Sequence, residues 1–402
     1  MADRQEPYFS WPRTVTPALT TATLRATPED FVVEELMPYT LTGAGEHLWV
    51  KLRKRGYNTE QVAKQLARTA GVTRREVGYA GMKDRHAITV QWFSLLLTGR
   101  PDPDWGSLPE GMTVVESTRH SRKLKTGALA GNRFIIALRD CSDGSLIHYR
   151  DAVLRRGEEI RTQGVPNYFG EQRFGHGGGN IAAARAMFAG SGNVREAASG
   201  TGLLSGRTSE VSRASVTSRG PRTRVPGVPS KTSPIGDRKQ GGIYLSAARS
   251  LVFNEVLARR VTAGTWDQAL DGDAMILNGS RSFFVPEIID DTIRRRLAEG
   301  DIHPSGPLWG RGDLPTKSAV RELEAAVASE HPDLVRGLEA AGLEQERRAL
   351  RVIPQEFNAQ WLDATTLSLT FVLPPGSYAT MLLRELADYR DATAAVWGEE
   401  PT

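Results

Sequence analysis

The chain has 402 residues, 40% hydrophobic and 24% charged, with a formal net charge of +4; that is room for two cores and the composition of an ordinary soluble globular protein. Its single cysteine, Cys141, excludes an internal disulfide and a thiolate metal cluster, and the histidines are scattered without a His-x-His or His-Glu-x-x-His pair. No apolar run reaches the roughly eighteen residues of a membrane span, and Met1–Tyr8 carries no apolar export core. A cytoplasmic protein without a metal is expected, and its mild positive charge suits a polyanionic partner without requiring one.

Residues 1–22 read as an irregular leader marked by Pro7, Pro12 and Pro17. Phe31–Leu36 and His47–Arg53 alternate with a period near two, as half-buried strands do. Asn58 then caps a helix with Val62, Leu66 and Ala70 on one face and Gly71 as its stop. Ile88–Leu97, β-branched and aromatic, predicts a strand buried on both faces, and Asn132–Leu138 predicts another. From about Gly164 the character turns helical, with helices expected at Ser246–Val261 and Thr316–Ala328. Ahead of these helices, residues 201–239 hold eight Lys/Arg against two acids and few apolar side chains. Such a segment buries too little to offset its ordering entropy, so 200–240 reads as a flexible basic loop. The chain returns to strand at Leu367–Leu373, turns at Pro374–Ser377, and is expected to form a helix over Tyr378–Asp388. Strands and helices in this order predict an α/β or α+β core.

Chemistry concentrates in a few segments. Gly81–Ser94 (Gly-Met-Lys-Asp-Arg-His-Ala-Ile-Thr-Val-Gln-Trp-Phe-Ser) sets Asp84 between Lys83 and Arg85 on a loop that leads into a strand. Alone, it describes a capped turn better than a catalytic one. Pro166–Gly175 (Pro-Asn-Tyr-Phe-Gly-Glu-Gln-Arg-Phe-Gly) reverses that balance, because it packs aromatics, an Arg, amides and close glycines into ten residues. Aromatic faces stack on bases, Arg takes phosphate bidentately, and glycines admit close backbone approach. Together with Ala26–Glu34, Gly131–Phe134 (Gly-Asn-Arg-Phe) and Pro375–Ala379 (Pro-Gly-Ser-Tyr-Ala), these segments resemble, in the same order, the TruD family of tRNA pseudouridine synthases. The resemblance runs to about Leu386.

The resemblance implies an α+β fold. A pseudouridine synthase catalytic domain with a mixed or antiparallel sheet and flanking helices would be assembled from 1–163 and 352–402, with an α/β TRUD domain inserted at 164–351. It implies an isomerase that converts uridine to pseudouridine, at position 13 of tRNA and chiefly tRNA-Glu, with no cofactor. The expected partner is tRNA, with no membrane and no obligate protein partner, and the expected state is a monomer. Asp84 takes the place of the catalytic carboxylate. An ionised carboxylate in a base-sized pocket needs a cation, and Lys83, Arg85 or Arg25 can supply it; Arg25 stands where family members often carry Lys. Phe134 matches an active-site aromatic that would stack on the extruded base, a contact worth roughly 1–3 kcal/mol. Asn132 would bond the base edge or orient Asp84. Asn167, Phe169, Gln172 and Arg173 would line the cleft, and the cluster Arg119, Arg122, Lys123 and Lys125 would meet phosphates beside it. The carboxylate can attack C1′ of the ribose or C6 of the base, or remove the C2′ proton, and the sequence leaves all three open. A catalytically silent tRNA-binding or folding factor, or a nucleoside glycosylase, would share many of these features.

Overall fold

The computed structural model describes residues 10–38, 40–142, 149–190 and 234–393. It divides into two compact units, one of Arg13–Tyr168 with Arg351–Thr402, the other of Phe169–Leu350 with Met1–Pro12. Of the loop expected at 200–240, residues 200–233 lie outside the described residues; from Pro234 the chain is helical.

The first unit opens with β1 (Thr20–Leu24) and β2 (Phe31–Leu36), followed by β3 (His47–Lys54), helix α1 (Thr59–Thr69), β4 (Val77–Tyr79) and β5 (Ile88–Leu96). β6 (Met112–His120), β7 (Gly131–Ser142), α2 (Tyr149–Gln163) and β8 (Val165–Pro166) follow. β1 begins inside the expected leader and runs past its end: a five-residue run rich in threonine acquires strand structure from distant partners, β7 and the C-terminal strand. β6 was not anticipated either, because its mostly polar surface shows no clean alternation. α1 follows its sequence signals. Asn58 Oδ1 accepts from Gln61 N and Gln61 Oε1 accepts from Asn58 N, both at 2.8 Å, which satisfies two amide groups at the helix start. Val62, Ala63, Leu66 and Ala67 are buried, and Gly71 leaves the helix with φ +63°.

In the second unit, β9 (Met275–Leu277), β10 (Phe283–Phe284), β11 (Ile302–Leu308) and β12 (Glu346–Ala349) form an antiparallel sheet in the order β10-β9-β11-β12. The helix Pro234–Thr262 contacts β11, and the expected 316–328 helix runs from Ser318 to Glu330. Arg347 and Glu324 form a buried ion pair at 2.7 Å, and Thr316 Oγ1 also donates to that carboxylate. Buried charges persist when each is paired and hydrogen-bonded in this way. Among the described residues, no helix is long and apolar enough to cross a membrane.

The chain then returns to the first unit as β13 (Arg351–Val352), β14 (Gln355–Trp361), β15 (Leu367–Leu373) and β16 (Ala387–Asp391). The resulting ten-stranded sheet has the order β14-β15-β7-β2-β5-β3-β6, with β1 against β7 and β16, and β4 against β5. It is mixed: β2–β5 and β1–β16 are parallel, the other pairs antiparallel. The helix expected over 378–388 is confined to Ala379–Leu383. Beyond it, Glu385 is buried with its carboxylate accepting from Thr14 N at 3.0 Å, and Ala387 is already paired with Thr20. The parallel edge of β1 takes main-chain bonds that a longer helix would have kept for itself.

Registered residues place their side chains on one face, so Phe371, Phe134, Val33, Thr89 and Lys54 form a row across β15, β7, β2, β5 and β3. Leu373, Asn132 and Glu35 lie in the adjacent row. At one end of this face α1 packs on Leu48, Val50 and Leu52; at the other, Val153 and Ile160 of α2 join Phe134, Ile136 and Leu369. Gly164 ends α2 with φ +81°, and a Cβ there would lie 2.4 Å from the Val352 carbonyl oxygen. Gly164→Ala should therefore destabilise the chain by roughly 2–4 kcal/mol, from the left-handed backbone and the clash together. Urea unfolding measures this, and a loss under about 0.5 kcal/mol would show that the β8–β13 junction yields freely.

Candidate active site

The loop between β4 and β5 carries Asp84, and four strongly buried side chains strap it down. Lys54, the last residue of β3 and fully buried, donates from Nζ to the Asp84 carbonyl at 2.8 Å and to the Tyr57 carbonyl at 2.7 Å. Thr59 Oγ1 accepts from Lys83 N at 2.8 Å and donates to Gln91 Oε1 at 3.1 Å; Gln91 Nε2 in turn donates to the Gly81 carbonyl at 2.6 Å. Glu35 Oε1 pairs with Lys83 Nζ at 2.6 Å, while Glu35 Oε2 accepts from Trp92 N at 2.9 Å. Each strap comes from a regular element, so the position of Asp84 is referred to the sheet and to α1 rather than to the loop itself.

The Asp84 side chain is 37% exposed. Its Oδ1 accepts from His86 N at 2.9 Å, closing an Asx turn, and its Oδ2 faces Arg25 Nη2 at 3.5 Å. Lys83, one of three cations expected to balance this carboxylate, is instead committed to Glu35, because a carboxylate with no exposed side-chain surface needs a direct partner. Arg85 points its Nε to His86 Nε2 at 3.0 Å on the exposed side. Arg25 is the cation that meets Asp84. Its guanidinium carbon also lies 4.4 Å from the Phe31 ring centroid, within cation–π range. Burial pushes the Glu35 carboxyl above its usual range, against the neighbouring Lys83 ammonium.

Phe134 is 8% exposed. Its ring stacks on Phe371 at 5.4 Å and meets the Phe31 edge at 6.2 Å, so it is part of the core as well as a neighbour of the Arg25–Phe31 pair. Asn132 shares the row of Glu35, and its Oδ1 is buried without a hydrogen-bond partner, as are Thr89 Oγ1 and Arg25 Nε. A buried polar atom left unpaired costs about 1–3 kcal/mol, a cost that a polar group of a ligand would relieve.

The remaining expected residues distribute unevenly. Asn167 Oδ1 accepts from Ser377 Oγ at 3.2 Å, joining two of the sequence motifs within the first unit. Phe169 and Arg173 belong to the second unit, where Phe169 meets Phe253 edge-on at 5.5 Å under the Arg348 guanidinium at 4.1 Å. Arg173 donates to Ser246 Oγ at 3.0 Å, and Gln172 is exposed. Arg119 departs from expectation: it is bound to the Asp102 carboxylate and to the carbonyls of Leu97 and Arg100, so its donors hold the loop that follows β5. Lys123 reaches the Arg75 carbonyl at 2.5 Å, while Arg122 and Lys125 are exposed.

Sequence reasoning passed over Lys54, Glu35, Thr59 and Gln91. The first two did carry a signal, a charged residue closing an otherwise apolar alternation: Leu48, Val50, Leu52, Lys54 and Phe31, Val33, Glu35. Burial depresses the Lys54 ammonium from 10.5 to about 8, opposed by Asp84. Between those values the unfolded chain keeps a proton that native Lys54 has released, so its contribution to stability rises with pH across that window. Unfolding of the wild type and Lys54→Met at about pH 7 and about pH 9.5 should show the difference between them moving toward the wild type by about 2 kcal/mol. A difference independent of pH would mean that burial leaves this lysine unperturbed.

A family profile described as tRNA pseudouridine synthase D (TruD) matches residues 14–197 and 237–386. The tRNA pseudouridine synthase D of Xanthomonas axonopodis pv. citri is 47% identical over 95% of both chains. That of Hydrogenovibrio crunogenus is 45% identical over 92% of this chain and 94% of its own. A crystal structure from Methanosarcina mazei, provisionally assigned as tRNA pseudouridine synthase D, superposes with a TM-score of 0.65 at 22% identity, covering 93% of this chain and 95% of that one, a likeness of fold. With a profile matching most of its length and relatives near half identical across nearly all of both chains, this chain belongs to the TruD family of tRNA pseudouridine synthases.

Proposed function

We propose that the chain isomerises uridine to pseudouridine in tRNA, at position 13 and chiefly in tRNA-Glu, with Asp84 as the catalytic carboxylate. The observation that carries the reading is the Asp84 carboxylate itself: partly exposed, fixed through its own main chain by buried Lys54, and faced by the Arg25 guanidinium beside Phe31 and Phe134. Isomerisation requires breaking the glycosidic bond, turning the base and rejoining it through C5. An ionised carboxylate serves this by attacking C1′, by attacking C6, or by taking the C2′ proton. Arg25 sets a positive charge against the group, the backbone straps hold its position, and the aromatic edge of Phe134 offers a surface to a base taken out of its stack. Asn132, with its unpaired Oδ1, is placed to accept a hydrogen bond from a base edge. Arg85, Arg122 and Lys125, exposed on the same unit, are suited to phosphate.

The test is Asp84→Asn, which retains size and one carbonyl acceptor for His86 N while removing the charge. Unmodified tRNA incubated with each protein is mapped for pseudouridine by carbodiimide-dependent reverse-transcription stops. The wild type should produce a stop at position 13 and the variant none, with a melting transition within a few degrees of wild type and tRNA affinity within about tenfold. A fully active variant would remove Asp84 from the reaction. Free uracil instead of an isomerised base would make the chain a glycosylase, and binding without either product would make it a silent tRNA-binding factor.

A further inference from the structure

Arg25 answers to two carboxylates. At the end of β1 its backbone enters the left-handed region, φ +57°, a conformation that L side chains rarely adopt, and the side chain so directed is only 13% exposed. Nη1 meets Asp391 Oδ2 at 2.5 Å, whereas Nη2 stands 3.5 Å from Asp84 Oδ2. Asp391 is itself held firmly. β16 runs parallel to β1 with Asp391 opposite Leu24, and Ala392 N donates to the Leu24 carbonyl at 2.9 Å. The other oxygen, Oδ1, accepts from Thr393 N at 3.0 Å and Thr393 Oγ1 at 2.7 Å. Asp391 lies beyond the last residue matched by the family profile, 386.

We propose that Asp391 is a positioning residue for the reaction, one that occupies Nη1 and so keeps the Nη1–Nη2 end of the Arg25 guanidinium from closing on Asp84 as a bidentate fork. A carboxylate held in such a fork has its lone pairs committed to two strong, directional hydrogen bonds, which leaves it poorly placed to attack carbon or accept a proton. With Asp391 on Nη1, Asp84 keeps a single long contact to the cation and remains uncommitted to it. The short distance to Asp391, the long one to Asp84 and the fixed backbone on both sides of the pair all follow from this arrangement.

The inference rests on the reading of Asp84 as the catalytic carboxylate, and a double-mutant cycle separates the two. Single-turnover rates at saturating tRNA, and tRNA affinity, are measured for wild type, Asp391→Asn, Arg25→Lys and the double variant. Asp391→Asn should lower the rate about tenfold while leaving affinity within about twofold. In the Arg25→Lys background the same change should cost less than about twofold, because a compact ammonium cannot form the fork. Asp391→Glu should restore most of the rate, and Thr393→Val, which removes one bond to Oδ1 without touching Arg25, should leave it nearly unchanged. A purely structural Asp391 would lower the melting temperature and cost the same in both backgrounds. Equal costs, or a loss confined to tRNA affinity, overturn the proposal while wild-type activity still supports Asp84. Should Asp391→Asn fail to fold, Asp391→Glu carried through both backgrounds decides: a rate at least half of wild type supports the proposal, and an equal loss in both overturns it. A wild type that forms no pseudouridine overturns the functional reading and this inference together.

Discussion

The buried ammonium of Lys54 on the main-chain carbonyl of Asp84 is the contact from which the geometry of the site follows. A charge removed from water must find compensation close by, and here it finds two backbone carbonyls, Tyr57 before α1 and Asp84 in the loop. The loop is thus tied to the end of β3 by an interaction too costly to break and leave unpaired. Thr59 and Gln91 add a neutral chain of hydrogen bonds, and Glu35 holds Lys83. Because the strap from Lys54 reaches the backbone of Asp84, its carboxylate is left to Arg25 and to the His86 amide.

One face of one sheet serves both packing and chemistry. Phe371, Phe134 and Val33 continue without interruption into Thr89 and Lys54, and the neighbouring row passes from Leu373 to Asn132 and Glu35. Polar residues at such positions are tolerated where they are bonded to each other or to the loop above them. Two side-chain atoms on this face, Asn132 Oδ1 and Thr89 Oγ1, are buried without a hydrogen-bond partner.

Much of this was legible in the residues. The α1 helix was marked at both ends, by Asn58 with Gln61 and by Gly71, since capping is a local exchange of hydrogen bonds. β5, β7 and β15 were marked by runs of β-branched and aromatic residues. The likeness of five short segments to one family singled out Asp84, Arg25, Asn132 and Phe134, and the structure gathers these on one unit. Where reading failed, the missing information was nonlocal. β1 and β16 are strands because each supplies the other's edge across more than three hundred residues of chain, and the helix expected over 378–388 yields to that pairing. Arg119 looked like a phosphate ligand because a basic cluster shows its charge in sequence but not its partners, Asp102 and two carbonyls.

The sequence by itself determined the family, the chemistry that an acidic residue on a Gly-marked loop can support, and the elements whose signals are local: helix caps, strand alternation and turns. Only the tertiary structure decided which cation serves which carboxylate. Lys83 stands next to Asp84 in the chain yet pairs with Glu35, whereas Arg25, far away in sequence, faces both Asp84 and Asp391. The physical reason is that a charge pairs with what the fold brings within a few ångströms, under the demands of burial. Sheet register sets those distances, and it depends on every strand at once.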